Sequence, residues 1–544
     1  MSLRIPVNVL QNTTHQRFNL LRSPSGSARD SVHLPLDDYE DDLLEDILKA
    51  AVTAKDKRSE RALEAIISSR KHREDIVVPS FLAFHQLLTS YLAKDAIDSW
   101  LYMECQDGSI NPVLITKVDY STNSYGSKLT EKVTINVAYV GRVEERGDSS
   151  LSLVSDYISF SPEGVARKKV SAILAAQGLQ KETPELKAAY VEQLKVHKEL
   201  TEGAFAKQFR FSGRVYKFDK DNYNRKSTKY FDCPVVNDLH DSDVAPLPTH
   251  ADLQFLPDDN GQEFTGEIPH HTIVPVFDLL AQETFWVSSG FLTPYAYRPE
   301  LRDELVLPES HTDLLDILTA DIEDYRSDVV EGKVSGNIIL CAGEAGLGKT
   351  LTAEIYAEIV QRPLLRAPAS MLGTDATSVS NNLDRLFGLC RRLGLIMLLD
   401  EVDVYVAKRD LDIGRNAVVS EMLRKFEYFG ELIFATTNRP DEIDQAFKSR
   451  CAAIIRYDYP TPDNAAAIWK KKAEAINLAL PDELVSKLVT LFPQLAPRDT
   501  RELVRLAARH VDKKGCAVDI DLFRKIAMFR DVKMVAATDE AAHA

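Results

Sequence analysis

Apolar residues change their spacing along the chain, and the changes divide it. From Asp37 to about Trp100 they recur three and four apart, as at Leu44, Ile47, Leu48 and Val52, the period of helices with one buried face. From 100 to 160 the period falls to two. "PVLITKVDY" (112–120) and "KVTINVAYV" (132–140) alternate, and the turn-rich "STNSYGS" separates them, which predicts paired strands. "SFSPEG" predicts a helix start, with Ser161 as cap, Pro162 in the first turn and Gly178 at the close. A second helix is expected over about 184–201, and strands return in "AKQFRFSGRVYKF" (206–218). Residues 218–270 are polar and turn-rich, so "NRKSTK" (224–229) reads as a basic loop. "TIVPVFDLL" and "TFWVSSGFL" read as strands. Residues 37–302 therefore form a mixed α+β region, with a small barrel as one arrangement its strands permit. No internal repeat is present.

From about 303 short apolar runs alternate with helical stretches, the pattern of a parallel sheet under covering helices. The expected strands are "NIILCA" (337–342), "LLRA" (364–367), "LIMLL" (395–399), "LIFAT" (432–436) and "AAIIRY" (452–457). Expected helices lie at 349–361, with Leu351, Ile355, Ile359 and Val360 inward, at 378–393, with Val379, Leu383, Leu386 and Cys390 on one face, and at 415–429. After Pro460 the strands stop, and helices near 462–475, 482–492, 499–511 and 519–529 make a small helical domain. The fold class is thus a five-stranded parallel α/β unit (303–460) with a helical C-terminal part (461–544), preceded by the α+β region. Residues 1–36 read as a disordered arm. Their first 29 positions hold four arginines and no acid, as a transit peptide would, but "SPSGS" and weak amphipathicity favour a tail.

Composition narrows the function. Acidic residues exceed basic ones, 82 against 66, giving a net charge of −16; a nucleic-acid binder would show a basic surplus or face. The six cysteines have no CxxC spacing, as expected of reduced thiols in a cytoplasmic protein. No apolar run approaches the roughly 20 residues of a membrane span.

The candidate chemistry lies in the parallel unit. "GEAGLGKT" satisfies GxxxxGK[ST] between a strand and a helix. The segment Gly343, Glu344, Ala345, Gly346, Leu347, Gly348, Lys349, Thr350 and Leu351 is the candidate nucleotide loop. Its glycines let main-chain N–H groups face phosphate oxygens, Lys349 reaches the outer phosphates, and Thr350 offers a hydroxyl to Mg²⁺. "LIMLLDEVD" ends a buried strand on Asp400 and Glu401, at the sheet edge where ligands bind. Asp400 would hold Mg²⁺ through water, and Glu401 would polarise the attacking water. The bland alternative is an acidic helix cap. In "FATTNRPDEIDQAFKSR", Asn438 could orient the water or sense the γ-phosphate, and Arg450 could stabilise charge on transferring phosphate.

The order of these motifs resembles the AAA+ ATPases over roughly 303–530, most closely a single-ring branch with Leu-Gly-Thr after the second strand and an "RN…LRKFEYF" helix. The resemblance implies a homo-hexameric ring, ATP with Mg²⁺ at each subunit junction, and a helical lid. It implies that Arg450 is the arginine finger reaching a neighbour's ATP; "KSRC" departs from the paired finger of many members. Within "APRDTREL" it makes Arg498 the lid arginine called sensor 2, with Arg501 the rival. It also places a substrate-gripping pore loop at Met371, Leu372 and Gly373, with Met replacing the usual aromatic; plain packing is the alternative there. The expected function is an ATPase that remodels or threads a protein, with 37–302 choosing substrate or adaptor. The rivals are a nucleotide-controlled assembly scaffold and a nucleic-acid motor or loader. His270–His271 reads as a core or loop pair, and "SRKHRE" (69–74) as a solvated helix face.

Overall fold

The computed structural model describes residues 2–535, apart from 19–30, 36–39, 57–58, 61–62, 65, 68–75, 126–127, 146–147, 203–205, 220–223, 239–265, 321–336, 409–412 and 516. "SRKHRE" lies outside the described residues.

Of the expected disordered arm, 19–30 lie outside the described residues, whereas the described parts, 2–18 and 31–35, are folded. Ser2–Pro6 pairs antiparallel with Ser31–Pro35, and Ile5, Val9 and Leu10 are fully buried. They join a core with Leu44 and Ile47 of helix Asp41–Thr53 and Phe84 and Leu88 of helix Phe81–Ala93. The polar composition of the whole segment conceals this short apolar cluster, whose burial offsets the ordering entropy. Asp46 fixes the segment further by accepting the main-chain N–H groups of Thr14 and His15 at 2.9 and 3.0 Å.

Two antiparallel five-stranded sheets follow. The first runs in the order Asp148–Phe160, Lys128–Glu145, Ile110–Tyr125, Trp100–Glu104, Leu179–Lys181. The second runs Thr284–Ser288, Ile273–Asp278, Asn224–Asn237, Gln208–Asp219, Leu292–Pro294. Among the described residues neither ladder closes into a barrel. Residues 224–229 belong to a strand, not a loop. Thr228 and Lys229 are exposed and Phe231 is 73% exposed, so no apolar alternation marks this arm. The helix expected from Ser161 to Gly178 is broken into a 3₁₀ turn, Pro162–Gly164, and a helix, Val170–Ala175. Arg167 has φ +67°, and main-chain bonds from Arg167 N to Val78 O and from Val78 N to Lys168 O, both 2.8 Å, pull the chain out of helix.

The remaining unit is numbered here from its first strand. Strands β1 (Ile338–Gly343), β2 (Leu364–Pro368), β3 (Ile396–Asp400), β4 (Ile433–Thr437) and β5 (Ala453–Tyr457) form one parallel sheet in the order β2-β3-β4-β1-β5. Alternate residues point to opposite faces and both faces are covered, so the strands read as continuous apolar runs. Leu340, Met397, Leu399 and Ala435 meet helices Ala376–Leu393 (α2) and Ile413–Phe426 (α3). Ile339, Cys341, Leu398 and Phe434 meet α1 (Lys349–Ile359) and Leu315. On α1 the inward residues include Ala353, Ile355 and Tyr356, whereas Leu351 is 42% exposed, contrary to its expected inward position. Helices Pro462–Glu474, Asp482–Leu491, Pro497–Lys514 and Ile520–Met528 pack round Trp469, Phe492 and Phe523.

The second antiparallel sheet is joined to the parallel unit through apolar and polar contacts. Val236, Phe277 and Leu279 share one core with Phe387 and Cys390 of α2. Arg392 pairs at 2.8 Å with Asp238, which is fully buried. Tyr295 Oη and the Arg298 N–H donate to the two carboxylate oxygens of Glu358 at 2.5 and 2.9 Å. No helix among the described residues is long and apolar enough to cross a membrane.

Candidate active site

β1 ends at Gly343 and α1 begins at Lys349, so the loop between them lies at the carboxyl edge of the sheet. Gly343 passes so close to Tyr457 that any Cβ would meet the Tyr457 carbonyl. Gly346 has φ +85°, and a Cβ there would stand 3.1 Å from Cβ of Arg498. A side chain is therefore strained at Gly346 on two grounds.

Lys349 is 6% exposed. Its ammonium donates to the carbonyls of Gly343 (2.9 Å) and Glu344 (2.6 Å) and to Asn438 Oδ1 (2.9 Å). Burial pushes its pKa down, and the charge of Asp400 opposes that shift. Asp400 Oδ1 accepts from Thr350 Oγ1 at 3.4 Å and also from Thr436 Oγ1. Glu401 follows with φ +58° and donates its N–H to Thr436 Oγ1 at 3.1 Å. Glu401 and Asn438 are both exposed.

Lys349, Thr350, Asp400, Glu401 and Asn438 line one cavity of about 490 Å³, together with Ala345, Gly346, Gly348 and Leu351 of the loop. Arg498 and Arg501 both line it as well. The Arg498 N–H donates to Gly346 O at 3.2 Å. Arg501 is paired with Glu502 at 3.3 Å, whereas Arg498 has no carboxylate partner among the described residues. Lys472 and Glu354 also line the cavity. Sequence reasoning missed both, because helix-surface charges carry no local signal; Lys472 is held by Glu304 at 3.1 Å. It missed Thr436 too, since a β-branched residue near a strand end reads as ordinary strand.

Arg450 is brought elsewhere. It follows the short helix Gln445–Lys448 and does not line this cavity. Its Nη1 donates to Ala446 O at 2.9 Å and Nη2 faces Glu427 at 3.4 Å. Its Nε is buried with no hydrogen-bond partner. The expected pore segment divides. Met371 is 37% exposed, but Leu372 is fully buried in the core under α2. Asn382 Nδ2 donates to Leu372 O at 3.1 Å, and Tyr405 Oη donates to Gly373 O at 2.7 Å. These bonds hold the segment against the rest of the parallel unit, so Leu372 does not take the exposed position expected of a substrate-gripping side chain. A second cavity, of about 860 Å³, runs from Gly373 and Thr374 past Tyr405 and Arg415 to Glu401 and Asn438, which line both cavities.

His271 is 7% exposed and stacks on Tyr139 at 4.1 Å. Burial pushes its pKa down to about 4, as for a packing residue. No cluster of His, Cys, Asp and Glu suited to a metal occurs among the described residues.

The donor set fits a metal–nucleoside triphosphate. Main-chain amides, a buried ammonium and a guanidinium suit phosphate oxygens, and one hydroxyl beside one carboxylate suits a hard cation such as Mg²⁺.

The family described as "ATPase family associated with various cellular activities (AAA)" matches residues 339–459. A 26S proteasome regulatory subunit homologue of Methanothermobacter marburgensis is 28% identical over 181 residues, 32% of this chain and 48% of that protein. The ATP-dependent zinc metalloprotease FtsH of Acidimicrobium ferrooxidans is 29% identical over 199 residues, 34% of this chain and 29% of that protein. The chain thus spans about half the length of the first relative and less of the second. Among solved structures, the FIGL-1 AAA domain in complex with ADP aligns with TM-score 0.34 and 19% identity, covering 43% of this chain and 85% of that one.

Proposed function

We propose, from the AAA domain that residues 339–459 carry, that this chain is a Mg²⁺-dependent ATPase working as a homo-hexameric ring to remodel a protein partner. The observation that carries the reading is the convergence of Lys349, Thr350, Asp400, Glu401, Asn438 and Arg498 on one cavity at the carboxyl edge of a parallel sheet. Loop amides from Glu344 to Thr350 and the Lys349 ammonium hold the phosphates. Leu351 packs at the mouth. Thr350 and Asp400 hold Mg²⁺, which supplies charge neutralisation on the phosphate oxygens. Glu401 takes a proton from water, and Asn438, already bonded to Lys349, orients that water.

Arg498 acts as the lid arginine in preference to Arg501, whose charge is partly spent on Glu502. Arg450 lies away from its own chain's cavity, which suits a finger acting on a neighbour. The helices from Pro462 onward serve as the lid. The described part of 37–302 chooses substrate or adaptor, and the acidic balance favours a protein over nucleic acid. The cytoplasm, with its reducing conditions, suits the free thiols. A second reading, nucleotide-controlled assembly without threading, is favoured by the burial of Leu372.

Glu401→Gln tests the chemistry. ATP turnover should fall by about a hundredfold or more, as expected for loss of a positioned base, while ATP affinity is retained. Ordinary turnover in this variant overturns the assignment.

A further inference from the structure

The two acidic residues at the end of β3 share a neighbour that neither the motif nor the family match singles out. Thr436 is the penultimate residue of β4 and is 1% exposed. β3 and β4 run in parallel, with Leu399 opposite Ala435, so the next residue of each strand, Asp400 and Thr436, stand side by side. A hydroxyl has one proton and two lone pairs. Here the proton goes to Asp400 Oδ1, and a lone pair accepts the Glu401 N–H at 3.1 Å. The Thr436 carbonyl accepts the following N–H, from Val402, at 2.9 Å.

Both oxygens of one residue therefore hold the turn that follows β3. Glu401 needs holding, because its φ of +58° lies in the left-handed region that side chains disfavour. Continuing as strand would carry Glu401 on along the sheet; the turn keeps it beside Asp400 on the cavity.

We infer that the Thr436 hydroxyl is a positioning group for hydrolysis, fixing the metal-side carboxylate Asp400 and the water-side residue Glu401 as one unit. The inference rests on the roles proposed for those two residues. Thr436 touches no reacting atom. Its hydroxyl sets the rotamer of one carboxylate and the backbone conformation of the other, so the two are aligned together or lost together. A hydroxyl that only satisfied buried polar groups would contribute stability and nothing selective.

The test uses the full chain with Thr436→Val, which keeps the shape and drops the hydroxyl, and Thr436→Ser, which keeps the hydroxyl. Binding of a fluorescent ADP analogue is measured with and without Mg²⁺, beside kcat and melting temperature. In Thr436→Val, kcat should fall about tenfold, the value of a hydrogen bond to a charged group. The gain in affinity conferred by Mg²⁺ should shrink by a similar factor, while metal-free affinity stays within about twofold. Thr436→Ser should restore both. Thr436→Ala gives the same reading if the valine variant does not fold.

Unchanged kcat and Mg²⁺ gain in Thr436→Val overturn the inference. So does a fall in metal-free affinity and melting temperature in proportion to kcat, which marks a structural role. Glu401→Gln separates the two levels. If that variant is inactive while Thr436→Val is normal, only the positioning role fails; if Glu401→Gln is active, the functional reading itself fails.

Discussion

Leu372→Ala and Met371→Ala, at adjacent positions, should behave oppositely. Leu372 is fully buried between α2 and the sheet, whereas Met371 is 37% exposed. Truncating a buried leucine to alanine removes three carbons, at about 0.8 kcal/mol each, or roughly 2.4 kcal/mol of transfer energy. The cavity left behind adds to this, giving about 3 kcal/mol within the range seen for such sites. For a unit of this size each kcal/mol lowers the melting temperature by roughly 2–4 °C, so a drop of about 6–12 °C is expected. Met371→Ala should stay within about 0.5 kcal/mol, as surface changes do. The assay is calorimetric melting with basal and substrate-stimulated ATP hydrolysis on the same preparations, casein serving as unfolded substrate. If Met371 grips a polypeptide, Met371→Ala loses stimulation and keeps basal turnover. Leu372→Ala should lose melting temperature and basal turnover together. A Leu372→Ala protein that melts normally but loses only stimulation would refute the argument from burial and return Leu372 to the channel.

The other predictions concern charge. Arg450→Ala should abolish hydrolysis while each subunit keeps its nucleotide affinity, and mixing with Lys349→Ala should restore some activity; mixed rings that stay inactive would remove the trans role. His271 is held at about 4 by burial, against an ordinary 6.5, with His270 its titratable neighbour. The unfolded chain then binds more protons than the folded one between pH 4 and 6.5, so stability rises with pH there and is lost on acidification. The difference is worth roughly 3 kcal/mol. Melting temperature should fall as the pH drops from 6.5 towards 4, and His271→Phe should flatten that slope; an unchanged slope refutes the assignment.

The parallel unit was legible because two kinds of signal coincided there. Strands such as Ile396–Asp400 are buried on both faces and read as unbroken apolar runs, and the loop before Lys349 carries its chemistry in adjacent residues. Legibility failed where side-chain identity and position part company. Leu351 and Leu372 are both apolar, yet one is exposed and the other buried. Periodicity cannot separate them, because a helix start at a cavity mouth and a strand-to-helix connection have no fixed inward phase. The strand Asn224–Asn237 was missed because part of it runs where no apolar face is required. Ile5, Val9 and Leu10 were missed because a short apolar cluster counts for little in a polar average. Thr436 was missed because its two partners belong to the neighbouring strand, a relation that exists only once β3 and β4 are paired.

The joint between the second antiparallel sheet and the parallel unit has a mechanical meaning. Leu279 and Phe277 are interleaved with the residues under α2, and a fully buried carboxylate is clamped by Arg392. Sliding or hinging there would expose apolar surface and strip Asp238 of its counter-charge, which is costly. The joint is therefore stiff, and the sheet moves as an extension of the parallel unit instead of a tethered arm. If the proposed ATPase reading holds, a small rotation at the candidate nucleotide cavity would be delivered to the far end of this sheet without slack. Compliance must reside elsewhere, so any work done on the proposed partner would depend on where that partner sits along a rigid lever.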